Sequence, residues 1–400
     1  MTLSQNLRVV CALLVLAGCS NSPLPIPPPP DYTYRIYSSY PTKGRAAAQS
    51  LQIVRAIDLA IQQYISNSPR TQIEHIKLDG SFEESGDWSR DAEMQNAQKA
   101  ANDPMALAYI GPYTSGGAAV SLPITNRAGL LQIGVSHTWP GLTMVGWDEG
   151  EPDRYRPADR HNYVRLSAPD TAQGEAAAYW ADDLGVRTMV VVNDGSSYSQ
   201  GLSKWFEVAA RDAGISITGA VEIGTESLEY AIAEINQLRP DALFYAPSST
   251  NQAVMFAKAI ESVEASQRIF ATDTALDDRF LASTSAKAVS WHVVSNSTVE
   301  LPTSAQETRF KQDYIGVYGD EPRLYAANAY DATKLVLEAV SSGSVDRATI
   351  IEAVCATVDY PGASGVVSFS ENGDRHGWRI NGYRVKDEIF VLDRLLIARP

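Results

Sequence analysis

Short apolar runs alternate with longer amphipathic segments along almost the whole chain, and this alternation restricts the fold more than any other feature. "TMVVVND" (188–194) reads as a buried strand. The following "GLSKWFEVAARDAG" sets Leu202, Trp205, Phe206, Ala209, Ala210 and Ala213 on one helical face, with Gly214 as the stop. "ISITGAVEI", "SLEYAIAEINQL", "DALFYAP", "TNQAVMFAKAIESV" and "RIFATD" continue the pattern. The first half repeats it with "YRIYSSY", a helix around Ile53 to Tyr64, "IEHIKLD", a helix around Ala92 to Ala101, "MALAYIG" and "LLQIGVS". Strand followed by helix implies parallel sheets covered on both faces and right-handed crossovers. A chain of 400 residues exceeds what one core serves, since single cores stop growing near ~250–300 residues, so two such α/β lobes are expected.

In sheets of this kind ligands lie beyond the carboxyl ends of the strands. "LAYIGPYTSGGAAV" (107–120) is a strand that breaks at Gly111 and Pro112 and restarts as a helix after Gly116 and Gly117. Free N–H groups and a positive helix end at that turn suit a phosphate, an activated Ser115 nucleophile or a ligand carboxylate. No GxGxxG follows a strand and no GxxxxGK[ST] occurs, which removes the usual support for a phosphate. "PYTSGG" is not a GxSxG elbow, and no histidine is placed as a base for Ser115. The remaining strand ends are also polar: "GVSHTWPGLT" (134–143), "NDGSSYSQG" (193–201) and "FATDT" (270–274).

A formal net charge of −14, with no basic cluster among aromatics, argues against nucleic acid. The five histidines are scattered and no HExxH or CxxC spacing occurs, so neither a metal nor a cofactor is expected. At the N-terminus Arg8 precedes an apolar stretch, Val9 to Ala17, too short to span a bilayer at ~20 residues. With Leu16, Ala17, Gly18 and Cys19 it resembles a bacterial lipoprotein signal, whose cysteine becomes the lipid-modified first residue. Removal of Cys11 and acylation of Cys19 leave Cys355 alone, excluding an internal disulfide. The proline-rich residues 20–30 act as a semi-rigid spacer of roughly 30 Å.

In order and spacing, "AYIGPYTSGGAA", "SHTWPGLT", "VVVNDGSSYSQGL", "INQLRPDALFYA", "YAANAYDATKLVLEAV" and "GASGVVSFSENGDR" resemble the leucine/isoleucine/valine-binding protein family, the type I periplasmic binding proteins that serve ABC importers. The resemblance implies two doubly wound parallel-sheet lobes on a multi-strand hinge. Residues 31–165 with 297–376 form the first lobe and 166–296 with 377–400 the second, after a signal peptide (1–18) and an anchor and linker (19–30). It implies that Ser115 and Thr138 grip a ligand carboxylate, that the Ser136 carbonyl and Asp273 receive the α-ammonium, and that Tyr198 closes over the ligand. Ala48, Ser248 and Ser249 stand where many relatives carry aromatics around the ligand side chain, and Lys43 alters the glycine-rich opening, so the subsite is roomier or more polar. Ser115 and Thr138 also fit helix caps, Asp273 an N-cap of a helix from Ala275 to Leu281, and Tyr198 rim packing. His137 and Trp139 are candidates for lining the cleft, whereas Tyr325 and Tyr330 suit core or hinge packing. The implied protein is not an enzyme but a monomeric, exported lipoprotein on a bacterial membrane, facing the periplasm or exterior. It delivers an amino acid or related small carboxylate to an ABC permease, or alternatively senses a ligand and acts on a protein partner.

Overall fold

The computed structural model describes residues 33–44, 46–67, 71–82, 88–146, 148–223, 228–260, 267–283, 291–295 and 304–396. The expected signal segment, linker and Cys19, and the expected crossing near 296, lie outside them. Strands β1 (Thr33–Tyr40), β2 (Gln72–Asp79), β3 (Ala106–Ile110), β4 (Leu131–Gly134) and β5 (Tyr163–Arg165) make a parallel sheet in the order β2-β1-β3-β4-β5. Between them run α1 (Ala47–Asn67), α2 (Arg90–Asn102) and α3 (Ser115–Ala128). In α1 the spacing of Ile53, Ile57, Ala60, Ile61 and Tyr64 buries one stripe on the sheet.

After β5 the chain builds a second sheet. It passes through α4 (Asp170–Asp183), β6 (Thr188–Asn193), α5 (Ser197–Asp212), β7 (Ser216–Glu222), α6 (Leu228–Leu238) and β8 (Ala242–Tyr245). Then come α7 (Thr250–Ile260), β9 (Arg268–Thr272), α8 (Asp278–Ser283) and β10 (Trp291–Ser295). Helices α9 (Ala305–Tyr318), α10 (Ala326–Ser341) and α11 (Arg347–Cys355) return to the first sheet, where Leu335, Val336 and Val354 join Ile36, Ile110 and Ile133 in one core. A small hairpin, β11 (Tyr360–Gly362) with β12 (Gly365–Val367), precedes β13 (Ile380–Lys386) and β14 (Ile389–Leu396), which complete the second sheet in the order β14-β13-β10-β9-β8-β6-β7.

Each sheet is covered on both faces, as the near-continuous apolar strands require. On the second, Trp180, Phe206 and Phe270 fill one side and Ile235, Phe256 and Phe280 the other. The second sheet is not wholly parallel: β13 runs antiparallel to β10 and β14 antiparallel to β13. Their turn places both Asp387 and Glu388 at positive φ, the geometry that matches strand twist in a two-residue hairpin, without the Asn-Gly pair that usually signals it. On the predicted face of α5, Leu202, Phe206, Ala209 and Ala210 are buried, while Trp205 is half-exposed. Strand order reverses between β1 and β3 and between β6 and β8, so both crevices open at carboxyl strand ends.

Candidate functional site

All the polar strand ends converge on the gap between the two sheets. On the first wall β3 is followed by Gly111, whose φ of +129° only glycine adopts comfortably. Thr114, not Ser115, caps α3, its hydroxyl accepting from Gly117 N at 3.0 Å. Ser115 is therefore released from capping. Its Oγ accepts from the amides of Thr138 (3.1 Å) and Trp139 (3.2 Å), which fills its lone pairs and leaves its O–H to donate. The Ser136 hydroxyl donates to Tyr113 O at 2.7 Å. His137 is fully buried and structural: Pro112 O can only accept, so Nε2 donates to it (2.6 Å) and Nδ1 accepts from Tyr163 (3.0 Å). Burial pushes that imidazole down to about 4, so it stays neutral.

The second wall is acidic. Asp273 lies in a single 3-10 turn, Asp273 to Ala275, after β9 and caps no helix; Asp277 Oδ1 instead accepts from Arg279 N at 2.7 Å. The Asp273 carboxyl is buried and reaches across the gap, where Tyr325, the residue preceding α10, donates to Oδ2 at 2.9 Å. Gln173 Nε2 and the Tyr198 hydroxyl approach Oδ1 only at 3.4 and 3.5 Å. Asp170, the first residue of α4, is 1% exposed. Its amide donates to Thr138 O at 2.8 Å, and a bond from the Thr138 side chain favours its charged form. Burial nonetheless pushes its carboxyl up to about 8, with the charge of Asp273 adding to the effect, and burial raises Asp273 too. Asp170 Oδ1 and Gln173 Oε1, both buried, have no hydrogen-bond partner among the described residues. Arg165 exerts a favourable charge on Asp170 but is itself engaged with Asp374 at 2.7 Å.

Ser248 is exposed and its amide donates to Asp194 (2.7 Å), while the Ser249 hydroxyl accepts from Gln252 N (3.3 Å) at the start of α7. Ala48 and Lys43 are also exposed. Tyr330 donates to Gln63 within the first lobe and packs against its core; Tyr325 is buried in that same core, and its hydroxyl in addition reaches Asp273. Asp170, Gln173 and the cross-gap Tyr325 were not read from sequence as site residues. The only signal for Asp170 was its place one residue after a proline at a helix start, which ordinary dipole capping explains equally well.

A chain of hydrogen bonds elsewhere resembles a nucleophile relay: Ser38 Oγ with His75 Nε2 at 2.8 Å, and His75 Nδ1 with Asp58 at 2.7 Å. Ser38 is 1% exposed on β1 between two neighbouring strands, and Asp58 is shared with Lys77, so no acyl substrate reaches this hydroxyl. No group of metal-binding side chains occurs among the described residues.

A family model described as periplasmic binding protein matches residues 33–385. The chain belongs to the periplasmic binding protein family. This is a family of solute-binding proteins rather than enzymes. A Leu/Ile/Val-binding protein of Rhizobium johnstonii is 22% identical over 276 residues, 66% of this chain and 69% of that protein. The periplasmic binding protein fold is shared with the branched-chain amino acid transporter substrate-binding protein LivJ of Streptococcus pneumoniae in complex with isoleucine (TM-score 0.76, 19% identity, 92% of this chain and 100% of that one). It is shared equally with a solute-binding protein of Rhodopseudomonas palustris in complex with benzoate (TM-score 0.74, 18% identity, 92% and 97%).

Proposed function

We propose that this periplasmic binding protein captures a small amino acid, of the branched-chain type or a related amine-bearing carboxylate, between its lobes for an ABC importer. The observation that carries the reading is the pair of buried carboxylates, Asp170 and Asp273, beside acceptor atoms that no donor among the described residues fills. A buried carboxylate without a cation is costly, and a ligand ammonium supplies the missing charge and donors. Across the gap the free O–H of Ser115 and the α3 N-terminus suit the ligand carboxylate. The Thr138 hydroxyl has one proton, directed to Asp170, so in this arrangement it orients the acid. The Ser136 carbonyl completes the ammonium side, and Tyr198 covers the site. Ser248 and Ser249 border the side-chain subsite. The names of the Rhizobium and Streptococcus relatives support a branched-chain ligand; benzoate, the ligand of the Rhodopseudomonas protein, lacks the amine that two acids call for.

Export with lipid attachment at Cys19 fits this role, the proline-rich segment holding lobes 31–165 with 297–376 and 166–296 with 377–400 off the membrane as a monomer. Titration calorimetry with L-leucine, L-isoleucine and L-valine tests the ligand. Saturable binding by at least one is expected, and no heat from any of them removes the branched-chain reading. Cys19→Ser is expected to release the protein from membranes; continued retention argues against the lipid anchor.

A further inference from the structure

Trp139 is held on four sides. Its amide donates to Ser115 Oγ at 3.2 Å, its carbonyl accepts from the buried hinge residue Arg165 at 2.7 Å, and its indole N–H donates to Glu151 at 2.7 Å. The fourth side is the other lobe: the ring lies on Gly201 of α5, so close that a Cβ at 201 would come within 2.5 Å of Cζ3 and 3.3 Å of Cε3. Glu151, whose side chain has no exposure, is fixed in turn by Tyr155 (2.9 Å) and Arg154 (3.2 Å), and its carboxylate fits against Gly141 and Gly146 where a side chain would collide. The ring cannot easily retreat, because its N–H is tethered to a braced Glu151 and its backbone is held at both the amide and the carbonyl. Gly201 is a buried glycine inside a helix, a position where alanine is intrinsically favoured. Its lack of a side chain therefore has a reason in packing, since the three atoms nearest to where a Cβ would stand all belong to Trp139.

We infer that Trp139 and Gly201 form the latch that sets how far the lobes close, with Glu151 and Arg165 as positioning residues that hold the indole at the right height. The hinge and the carboxylate-side Ser115 are wired to the same residue, so the closing contact and the ligand contact move together. This inference rests on the ligand-closing reading above, and small-angle X-ray scattering separates the two.

Three proteins are compared, each free and with 1 mM L-isoleucine: wild type, Gly201→Ala, and the pair Trp139→Leu with Gly201→Ala. The alanine variant should melt no lower than wild type, since alanine favours α5, and should show a larger radius of gyration and at least tenfold weaker isoleucine binding. Shortening Trp139 should return the radius to the wild-type value. A merely structural role for Gly201 would not be rescued at Trp139. Equal radii for wild type and Gly201→Ala, or no recovery in the double variant, overturn the latch. If isoleucine neither binds nor contracts wild type, the ligand reading fails, and the free-protein radii alone decide the latch by the same criteria.

Discussion

Two buried carboxyls in this protein have the same chemistry and nearly the same burial, yet opposite surroundings. Glu93, inside the first lobe, and Asp170, at the gap, are each 1% exposed and each pushed up to about 8 by desolvation. Glu93 is fully furnished: Tyr109 donates to one oxygen at 2.6 Å and Ser39 to the other at 2.7 Å. Asp170 has an oxygen that no donor among the described residues meets, beside Gln173 Oε1 in the same condition and a second acid, Asp273. Burial alone therefore does not mark a site here. The proposed site rests instead on an acceptor left open in a dry, negative place, because native proteins rarely leave such a group unpaired.

The comparison breaks most readily at Asp273. Asp273→Asn keeps the shape and the Tyr325 contact but removes a charge, and is expected to weaken amino-acid binding by ~2–5 kcal/mol in calorimetry. An unchanged affinity would remove Asp273 from the site. Next comes pH. The ammonium requires charged Asp170, whose folded-state value lies near 8, so affinity should rise with pH, up to about tenfold per unit (~1.4 kcal/mol), and level off above about 8. Asp170→Asn should flatten this profile, and a mutant profile as steep as wild type assigns the titration elsewhere.

Smaller effects sharpen the contrast. Thr114→Ala removes the α3 cap and should lower stability by ~0.5–2 kcal/mol in a denaturant melt, whereas Ser115→Ala should act on binding first, because Ser115 caps nothing. Smallest is the effect of Glu93 on binding. Its folded-state value is raised, so its contribution to stability is complete below about 4.5 and is lost as pH rises through about 8. Glu93→Gln should reduce the fall in melting temperature over that window and leave ligand affinity within a factor of about two; a large affinity change would erase the distinction between the two acids.

Much of this architecture was legible in the chain because strand runs and amphipathic helices have different periods, and residues such as Val190 and Phe206 obey them. The antiparallel β13 and β14 were not legible, since their pairing is long-range and their turn lacks the usual glycine. At the site, strand-end position located Ser115, Thr138 and Asp273 in one gap. Asp170, Gln173 and Tyr325 escaped because each reads as an ordinary helix residue, and only the packing of distant segments makes their polar atoms face one another. Trp139 was recognised as a cleft candidate, but its partner Gly201 was not, since a glycine carries no signal of what lies against it.

The central claim is that this cleft requires a cationic amine, and a matched pair of ligands tests it most directly. Thermal melts at pH 8 with L-isoleucine and with 3-methylpentanoic acid, the same molecule without its amino group, should show a raised melting temperature for the amino acid alone, by an amount equivalent to ~2.7 kcal/mol at a hundredfold excess over the dissociation constant. Equal stabilisation by the deaminated acid would show that the two buried carboxylates are not waiting for an ammonium, and would contradict the account.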